Sequence, residues 1–120
     1  MAGENPVREK AYDFAVGAIR LRRELLADRE YDISRQMVRA ATSVGANIEE
    51  ALAGQSRRDF AAKMTIASKE AREALYWVRL IRDSQLASGA AVVPLISAAD
   101  EIVRLLTAIV KSARTAREGD

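Results

Sequence analysis

The 120-residue chain contains neither cysteine nor histidine. Without cysteine it can form no disulfide framework and no thiolate metal site, and it suits a reducing cytoplasm. The absence of histidine removes both the commonest general base and the commonest metal ligand. We therefore expect no catalytic residues, no metal and no cofactor in this chain.

Proline, glycine and aromatic residues are scarce too, with two prolines, six glycines and 5% aromatic residues. Alanine, the strongest helix former, occurs 23 times. Hydrophobic residues make up 49% of the chain and charged residues 30%, which is the balance of a globular protein. Because a chain of this length holds one modest core, the composition predicts a single all-α domain.

Long apolar segments are missing as well. The uncharged segment 86–99 is too short to span a bilayer and contains Pro94, and residues 1–10 lack the apolar segment of a signal peptide. The net charge is only +2, which by itself does not imply a polyanionic partner. We expect a cytoplasmic protein with no membrane contact and no small-molecule substrate.

Start and stop signals divide the chain into four predicted helices. Asn5 is a favourable N-cap before Pro6 at the first helical position. Asp32 is placed to cap the second helix, and Ser56 followed by Asp59 is a capping-box variant that opens the third. The predicted helices span about residues 6–28, 33–53, 57–83 and 94–116.

Each predicted helix carries one row of apolar residues at spacings of three and four, which is typical of a helix with one buried face. The rows are Phe14, Ala18, Leu21 and Leu25; Ile33, Met37, Ala40, Val44, Ile48 and Ala51; Phe60, Met64, Ala67, Ala71, Ala74, Val78 and Ile81; and Ile96, Ala99, Val103, Leu106, Val110 and Ala113. Long helices with short connections predict an up-and-down antiparallel four-helix bundle.

The third helix has a second apolar face nearly opposite its core row, formed by Ala62, Ile66, Trp77 and Leu80. In a small monomeric bundle that side should face water. An apolar face that holds the only tryptophan therefore predicts an oligomer interface. The alternative is that helix ends or the last loop cover this face within one chain.

The second helix contains Gly45, although glycine inside a helix costs about 1 kcal/mol relative to alanine. Close approach of a neighbouring helix is the simplest compensation, and a kink is the second. A polar row borders the core face of the same helix and consists of Gln36, Ser43, Asn47 and Glu50. Such rows usually form inter-helix or inter-subunit hydrogen bonds that set the register, so we predict a structural polar network.

The carboxylates give little support to catalysis. Glu49 and Glu50 are sequence neighbours that project about 100° apart on a helix, so they cannot face one another. Glu70 and Glu73 share a face and, together with Glu50, are candidates for an all-carboxylate Mg²⁺ or Mn²⁺ site. Structural hydrogen bonding is the competing interpretation, and we predict that the protein is not an enzyme.

A basic stripe runs along one side of the third helix and consists of Arg58, Lys69, Arg72 and Arg79, with Tyr76 among them. Positions 55–83 hold seven basic and four acidic residues. A basic stripe with an interleaved tyrosine suits phosphate contacts and base stacking, which makes RNA or DNA a candidate partner. The alternative is a solvated helix face that keeps the protein soluble.

Three motifs follow one another between residues 36 and 81: S-V-G-A-N-x-x-E-A, S-x-x-D-F and I-A-x-K-E-A-x-E-x-x-Y-W. In these motifs and their spacing the chain resembles the bacterial family of 23S rRNA intervening-sequence proteins. The first and last helices match that family only by general pattern. The matching signature positions are Ser43, Asn47, Glu50, Lys69, Glu70, Glu73, Tyr76 and Trp77.

The resemblance implies a four-helix bundle that assembles into a ring-like homo-oligomer, typically a pentamer. It also implies a relation to the accessory proteins of diversity-generating retroelements, which are similar bundles that form basic pentameric barrels and bind a reverse transcriptase and nucleic acid. Taken with the residues, it predicts a non-enzymatic, self-assembling scaffold or adaptor. The alternative is a nucleic-acid-binding accessory protein that assists a reverse transcriptase or an RNA partner through the basic stripe.

Overall fold

A computed structural model describes the backbone of residues 5–119 and the side chains of residues 5–116. Four α-helices make up this part of the chain: α1 (Pro6–Ala27), α2 (Asp32–Ala53), α3 (Arg57–Asp83) and α4 (Gly89–Gly119). Since no β-strand occurs among the described residues, the prediction of an all-α domain is confirmed. The prediction about a signal peptide rests partly on residues 1–4, which lie outside the described residues.

The four helices form a bundle in which each packs on its neighbours in sequence and α4 also packs on α1. In the described part of the chain α1 does not approach α3, and α2 does not approach α4, so the members of each pair lie at opposite corners. Lys63 pairs with Glu50 whereas Glu73 pairs with Arg39, an order that requires antiparallel neighbours. The molecule measures 52 × 24 × 23 Å. None of the described helices is both long enough and apolar enough to cross a bilayer.

The predicted caps of α1 and α3 form. The side chain of Asn5 accepts a hydrogen bond from the backbone N–H of Arg8 at 3.1 Å. Ser56 Oγ accepts one from the backbone N–H of Asp59 at 3.0 Å. Both side chains satisfy N–H groups that lack a partner inside the helix, so these two helix starts are encoded locally.

The predicted cap of α2 by Asp32 is wrong. The preceding Tyr31 already has helical backbone angles (φ −93°, ψ −42°), so Asp32 lies inside the helix and makes no cap hydrogen bond. Glu30 takes the capping role instead, because its Oε1 accepts the Ile33 N–H at 2.9 Å. The backbone carbonyl of Glu30 also accepts the hydroxyl of buried Ser34 at 2.7 Å.

Helices α1 and α3 end in the same type of turn. Arg29 (φ 62°) and Gln85 (φ 57°) occupy the left-handed region. After Arg29, the N–H of Glu30 donates to the carbonyl of Leu25 at 2.9 Å, and after Gln85 the N–H of Leu86 donates to the carbonyl of Ile81 at 3.1 Å. These are Schellman motifs, whose left-handed position usually holds glycine. A side chain there is mildly strained, and tertiary packing must maintain both turns.

The fourth helix begins at Gly89, five residues before the predicted start near Pro94. Ser88 caps it, since Ser88 Oγ accepts the N–H of Ala91 at 3.3 Å. The added turn buries Val92 completely, while Pro94 lies exposed. Water can therefore hydrogen-bond the carbonyl that the proline leaves free, and burial of Val92 offsets part of the usual penalty of a helical proline.

The predicted core rows face the interior, and the residues that remain partly exposed are Ile33, Phe60, Ile96, Val103 and Ala113. A Cβ built on Gly45 would lie 3.9 Å from the carbonyl oxygen of Ala11, an ordinary van der Waals distance. Helix α1 thus approaches Gly45 closely, but alanine would fit. The tighter glycine is Gly17, whose Cβ would lie 2.6 Å from Leu95 Cδ2.

Candidate functional site

Arg39 of α2 spans the contact line between α2 and α3, which we call the α2/α3 seam. Its guanidinium donates to Glu70 Oε2 at 3.0 Å and also to the carboxylate of Glu73, both on α3. Its Nε donates to Gln36 Oε1 at 3.2 Å within α2. Because one arginine serves two carboxylates on the neighbouring helix, it joins the two helices in a single register.

Trp77 belongs to this network rather than to an open surface. Its indole Nε1 donates to Glu73 Oε2 at 2.9 Å, and its ring is partly buried against the core. Tyr76 packs edge-on to it, with ring centroids 5.1 Å apart. The hydrogen bond from Trp77 and the contact with Arg39 hold the pKa of Glu73 below its usual value, although burial acts in the opposite direction.

The residues of the predicted polar row take different parts. Glu50 pairs with Lys63 across the α2/α3 seam at 2.9 Å. Gln36 accepts a hydrogen bond from Arg39, the arginine that spans this seam. Asn47 Nδ2 donates to the carbonyl oxygen of Ser43 at 2.9 Å and to its Oγ at 3.1 Å. Asn47 and Ser43 therefore bond each other within α2, and among the described residues they make no bond to another helix.

The candidate metal ligands are engaged by protein cations. Glu70 and Glu73 bind one arginine, and Glu50 binds a lysine. Among the described residues no group of three or more carboxylates is placed to hold a metal ion. The geometry therefore favours the structural interpretation of these glutamates over a magnesium or manganese site.

The structure divides the predicted basic stripe of α3. Lys69 and Arg72 face a groove against α4. Arg58 lies exposed in the first turn of α3. Arg79 lies near the other end, where its charge interacts with the Asp83 carboxylate. The stripe residues thus do not form one continuous surface, and two of them share a site with another helix.

We call this site the α3/α4 groove, and it holds about 400 Å³. Its lining comes from Thr65, Ser68, Lys69 and Arg72 of α3 and from Thr107, Val110, Lys111, Arg114 and Thr115 of α4. Arg72 Nη2 donates to Thr107 Oγ1 at 2.9 Å, which ties the guanidinium across the groove. Within residues 5–116 none of the four basic groups has a carboxylate partner.

The α4 half of this groove was not among the predicted site residues. Lys111 and Arg114 are three residues apart and Thr107 precedes them by one turn, so they share one side of a helix. This spacing could have indicated a basic side of α4 from the sequence alone. Its importance depends on α3 lying opposite, which the spacing alone does not show.

The predicted apolar face of α3 is only partly open. Ile66 is 42% exposed, and Ala62 is exposed as well, whereas Leu80 is half-buried. Trp77 packs against the core, so it is covered in part within the chain. The portion available to a partner is the N-terminal half of this face, around Ile66.

A second exposed apolar surface, which sequence analysis missed, lies on α1. We call it the α1 stripe, and it consists of Tyr12 (67% exposed), Ile19 (44%) and Leu26 (36%), together with half-buried Val16. Tyr12, Ile19 and Leu26 recur every seven residues. A seven-residue period is typical of helices that pack along one another. A search of α1 for this period, in addition to its core row, would have identified the α1 stripe.

Comparison with known proteins places the chain in a family. Residues 3–108 match the family model described as 23S rRNA-intervening sequence protein. The chain belongs to this family. It is also similar to a crystal structure from Bacteroides thetaiotaomicron, described as a protein of unknown function from the S23 ribosomal protein family. The two share 38% sequence identity with a TM-score of 0.83, over 88% of this chain and 98% of that one.

No curated protein matches the chain. The family resemblance drawn from the motifs of α2 and α3 is nevertheless confirmed, and so is the four-helix architecture that it implied. The family description does not name an activity. What this member of the 23S rRNA-intervening sequence family does must therefore be argued from its surfaces.

Proposed function

We propose that this protein is a non-enzymatic scaffold that assembles with copies of itself into a ring, with five subunits as the favoured number. The observation that carries the proposal is the presence of two exposed apolar surfaces, the α1 stripe and the Ile66 end of the α3 face. Exposed apolar surfaces of this kind can mark sites of protein–protein contact. Family resemblance supports another copy of the same chain as the partner.

The positions of the two surfaces favour a head-to-tail arrangement. Helices α1 and α3 lie at opposite corners of the bundle, so one protomer can offer its α1 stripe to the Ile66 region of the next. A contact between two different surfaces repeats from copy to copy and gives a ring when the rotation closes. The heptad spacing of the α1 stripe suits packing against another helix.

Light scattering on the untagged protein tests the assembly directly. A mass near five times the 13.1 kDa of one chain is the expected result, and a monomeric mass would contradict the scaffold proposal. Ile19→Glu and Ile66→Glu should each reduce the mass, because each puts a charge into an apolar contact. Val93→Glu is the matched control, since Val93 is 54% exposed but belongs to neither surface.

Mixing the two variants tests the head-to-tail arrangement. The Ile19→Glu protomer keeps its α3 face and the Ile66→Glu protomer keeps its α1 stripe, so an equimolar mixture should form a dimer of about twice 13.1 kDa. A mixture that stays monomeric would rule out this pairing of surfaces. Trp77→Glu is less suitable, because its new carboxylate would meet Glu73, the hydrogen-bond partner of Trp77.

As a second candidate function, we propose that the protein contacts nucleic acid and acts as an accessory to a reverse transcriptase or RNA partner, a role suggested by the relation that the family resemblance implies to retroelement accessory proteins. The supporting observation is Tyr76, which is 54% exposed on a helix with several exposed basic residues. Binding should weaken as salt rises. It should also weaken in an Arg58→Glu, Arg79→Glu variant, and equal binding by this variant would exclude those contacts.

A further inference from the structure

We propose that the α3/α4 groove is a binding site for a phosphate group, carried either by a small phosphate compound or by a nucleic-acid backbone. This inference does not depend on ring assembly. It is also narrower than the basic stripe of α3, because it adds Ser68 and the α4 residues and leaves out Arg58 and Arg79.

The charge distribution is the first argument. Four basic side chains line the groove and no carboxylate does, as far as the described residues show. Since the whole chain has a net charge of only +2, the rest of the chain is acidic by two charges. A local excess of positive charge in a concave site attracts anions more strongly than the same charges spread over a surface.

Ser68 is the second and independent argument. It is only 8% exposed and lines the groove, yet its hydroxyl has no hydrogen-bond partner among the described residues. Buried polar groups are normally hydrogen-bonded. Buried Ser34 follows that rule, because its hydroxyl donates to the backbone carbonyl of Glu30 at 2.7 Å. The Ser68 hydroxyl instead reaches the groove, since Arg22 Nε is the only buried side-chain polar atom without a partner among the described residues. It is therefore free to donate to a group bound in the groove.

The charged side chains that line the groove are all hydrogen-bond donors. The hydroxyls of Thr65, Thr107 and Thr115 donate to carbonyls of their own helices at 2.7, 2.7 and 2.9 Å. Thr107 also accepts from Arg72, which leaves four of the five guanidinium N–H groups of that arginine for a ligand. A ligand that satisfies this set must be an acceptor with several oxygens. A phosphate group meets that requirement and suits arginine geometry.

Two probes distinguish the possible sources of the phosphate. Pyrophosphate binding is measured by calorimetry, and binding of a fluorescein-labelled poly(U) RNA and the matched DNA by anisotropy, at about 50 and 200 mM salt. Pyrophosphate binding without RNA or DNA binding assigns the site to small phosphate compounds. RNA or DNA binding that pyrophosphate competes away assigns it to a backbone phosphate. Either result supports the proposal, whereas no binding of any probe overturns it.

Ser68→Ala is the decisive variant, because it removes the unpartnered hydroxyl without changing the charge. We expect roughly tenfold weaker binding, the usual effect of losing a hydrogen bond to a charged group. Its thermal stability without ligand should not fall, since the hydroxyl makes no hydrogen bond within the described residues. Binding as tight as that of the wild type would overturn a role for the groove.

Charge reversal supplies the second variant and its control. Lys69→Glu with Lys111→Glu should weaken binding by about a hundredfold or more, because both charges face the ligand. Arg20→Glu with Arg35→Glu changes the net charge equally, but both residues lie outside the groove lining. Equal loss in both pairs would show general electrostatic attraction and contradict the site. Light scattering on the same samples reports assembly separately, so failure of one proposal is distinguishable from failure of the other.

Discussion

The two seams that flank α3 use arginine in opposite ways. In the α2/α3 seam, Arg39 meets two carboxylates, Glu70 and Glu73. In the α3/α4 groove, Arg72 meets only the hydroxyl of Thr107 in the described structure. Cations paired with carboxylates hold helices in register, whereas unpaired cations repel one another and remain available to an external anion.

The comparison assigns different roles to the two sides of one helix. Glu70 and Glu73 serve the bundle, and their neighbours Lys69 and Arg72 on the other side of α3 face the groove. Acidic residues on α4 opposite Lys69 and Arg72 would relieve the repulsion among the cations of the groove, and the described part of α4 places none there. Departures from the arrangement that favours stability are expected where a protein binds something.

The largest expected effect is a loss of stability when the core that lies beneath both seams is disrupted. Ile48 of α2 and Leu106 of α4 are both fully buried. Replacing either by alanine should lower the free energy of unfolding by about 2–5 kcal/mol, because each change leaves a cavity. Urea denaturation measures the loss. A much smaller loss at Leu106 would mean that the α4 side is loosely packed, and the two seams would then differ in more than charge.

A smaller expected effect is the difference in stability between variants that lack the arginine of one seam or the other. Arg39→Ala should destabilise the protein by about 1–2 kcal/mol, because it leaves two neighbouring glutamates without their cation in a half-exposed network. Arg72→Ala should change stability by less than about 0.5 kcal/mol, as for an ordinary surface substitution. Urea denaturation of both variants compares the seams. If Arg72→Ala proved the more costly change, Arg72 would have a structural role instead.

The smallest effect is a response to acid in the α2/α3 seam that the α3/α4 groove should not share. The pKa of Glu73 is lowered in the folded protein, chiefly by the Trp77 hydrogen bond. Its stabilising contribution is therefore complete above the unfolded pKa of about 4.3 and is lost as the pH falls through the folded pKa. Since Trp77 is the only tryptophan, its fluorescence should report this titration with a midpoint below pH ~4.3.

Glu73→Gln is the control for the acid response. The amide cannot titrate, so the fluorescence change should disappear between neutral pH and the onset of acid unfolding. Arg72→Ala should leave the midpoint unchanged, because Arg72 does not contribute to the lowered pKa of Glu73. A shift of the midpoint in Arg72→Ala would show that the two seams are electrostatically coupled.

Several features were predictable because they depend on a few neighbouring residues. The caps at Asn5 and Ser56 and the core rows follow from the geometry of one helix and from its 100° rotation per residue. The motifs of α2 and α3 were enough to recognise the family. The failures were not local in origin. Glu30 and Ser88 are capping residues whose roles depended on where tertiary packing begins a helix.

The candidate sites were less predictable, because sequence spacing shows which side of a helix a residue occupies but not what lies opposite. Trp77 was placed on an apolar face, and the structure ties it to Glu73, which Arg39 of the neighbouring helix also binds. The polar row was expected to bond across helices or subunits, yet in the described structure only Glu50 pairs across helices, and the other three residues bond within α2.

By itself the sequence determined four amphipathic helices, one core and a family, because helical periodicity and capping act over a few residues. The tertiary structure decided which charges are neutralised. The sequence of its own helix does not show whether Arg39 or Arg72 has a carboxylate partner. Arg39 binds the glutamates of α3, whereas Arg72 binds Thr107 of α4. Partners more than thirty residues away in the chain become neighbours only when the bundle forms.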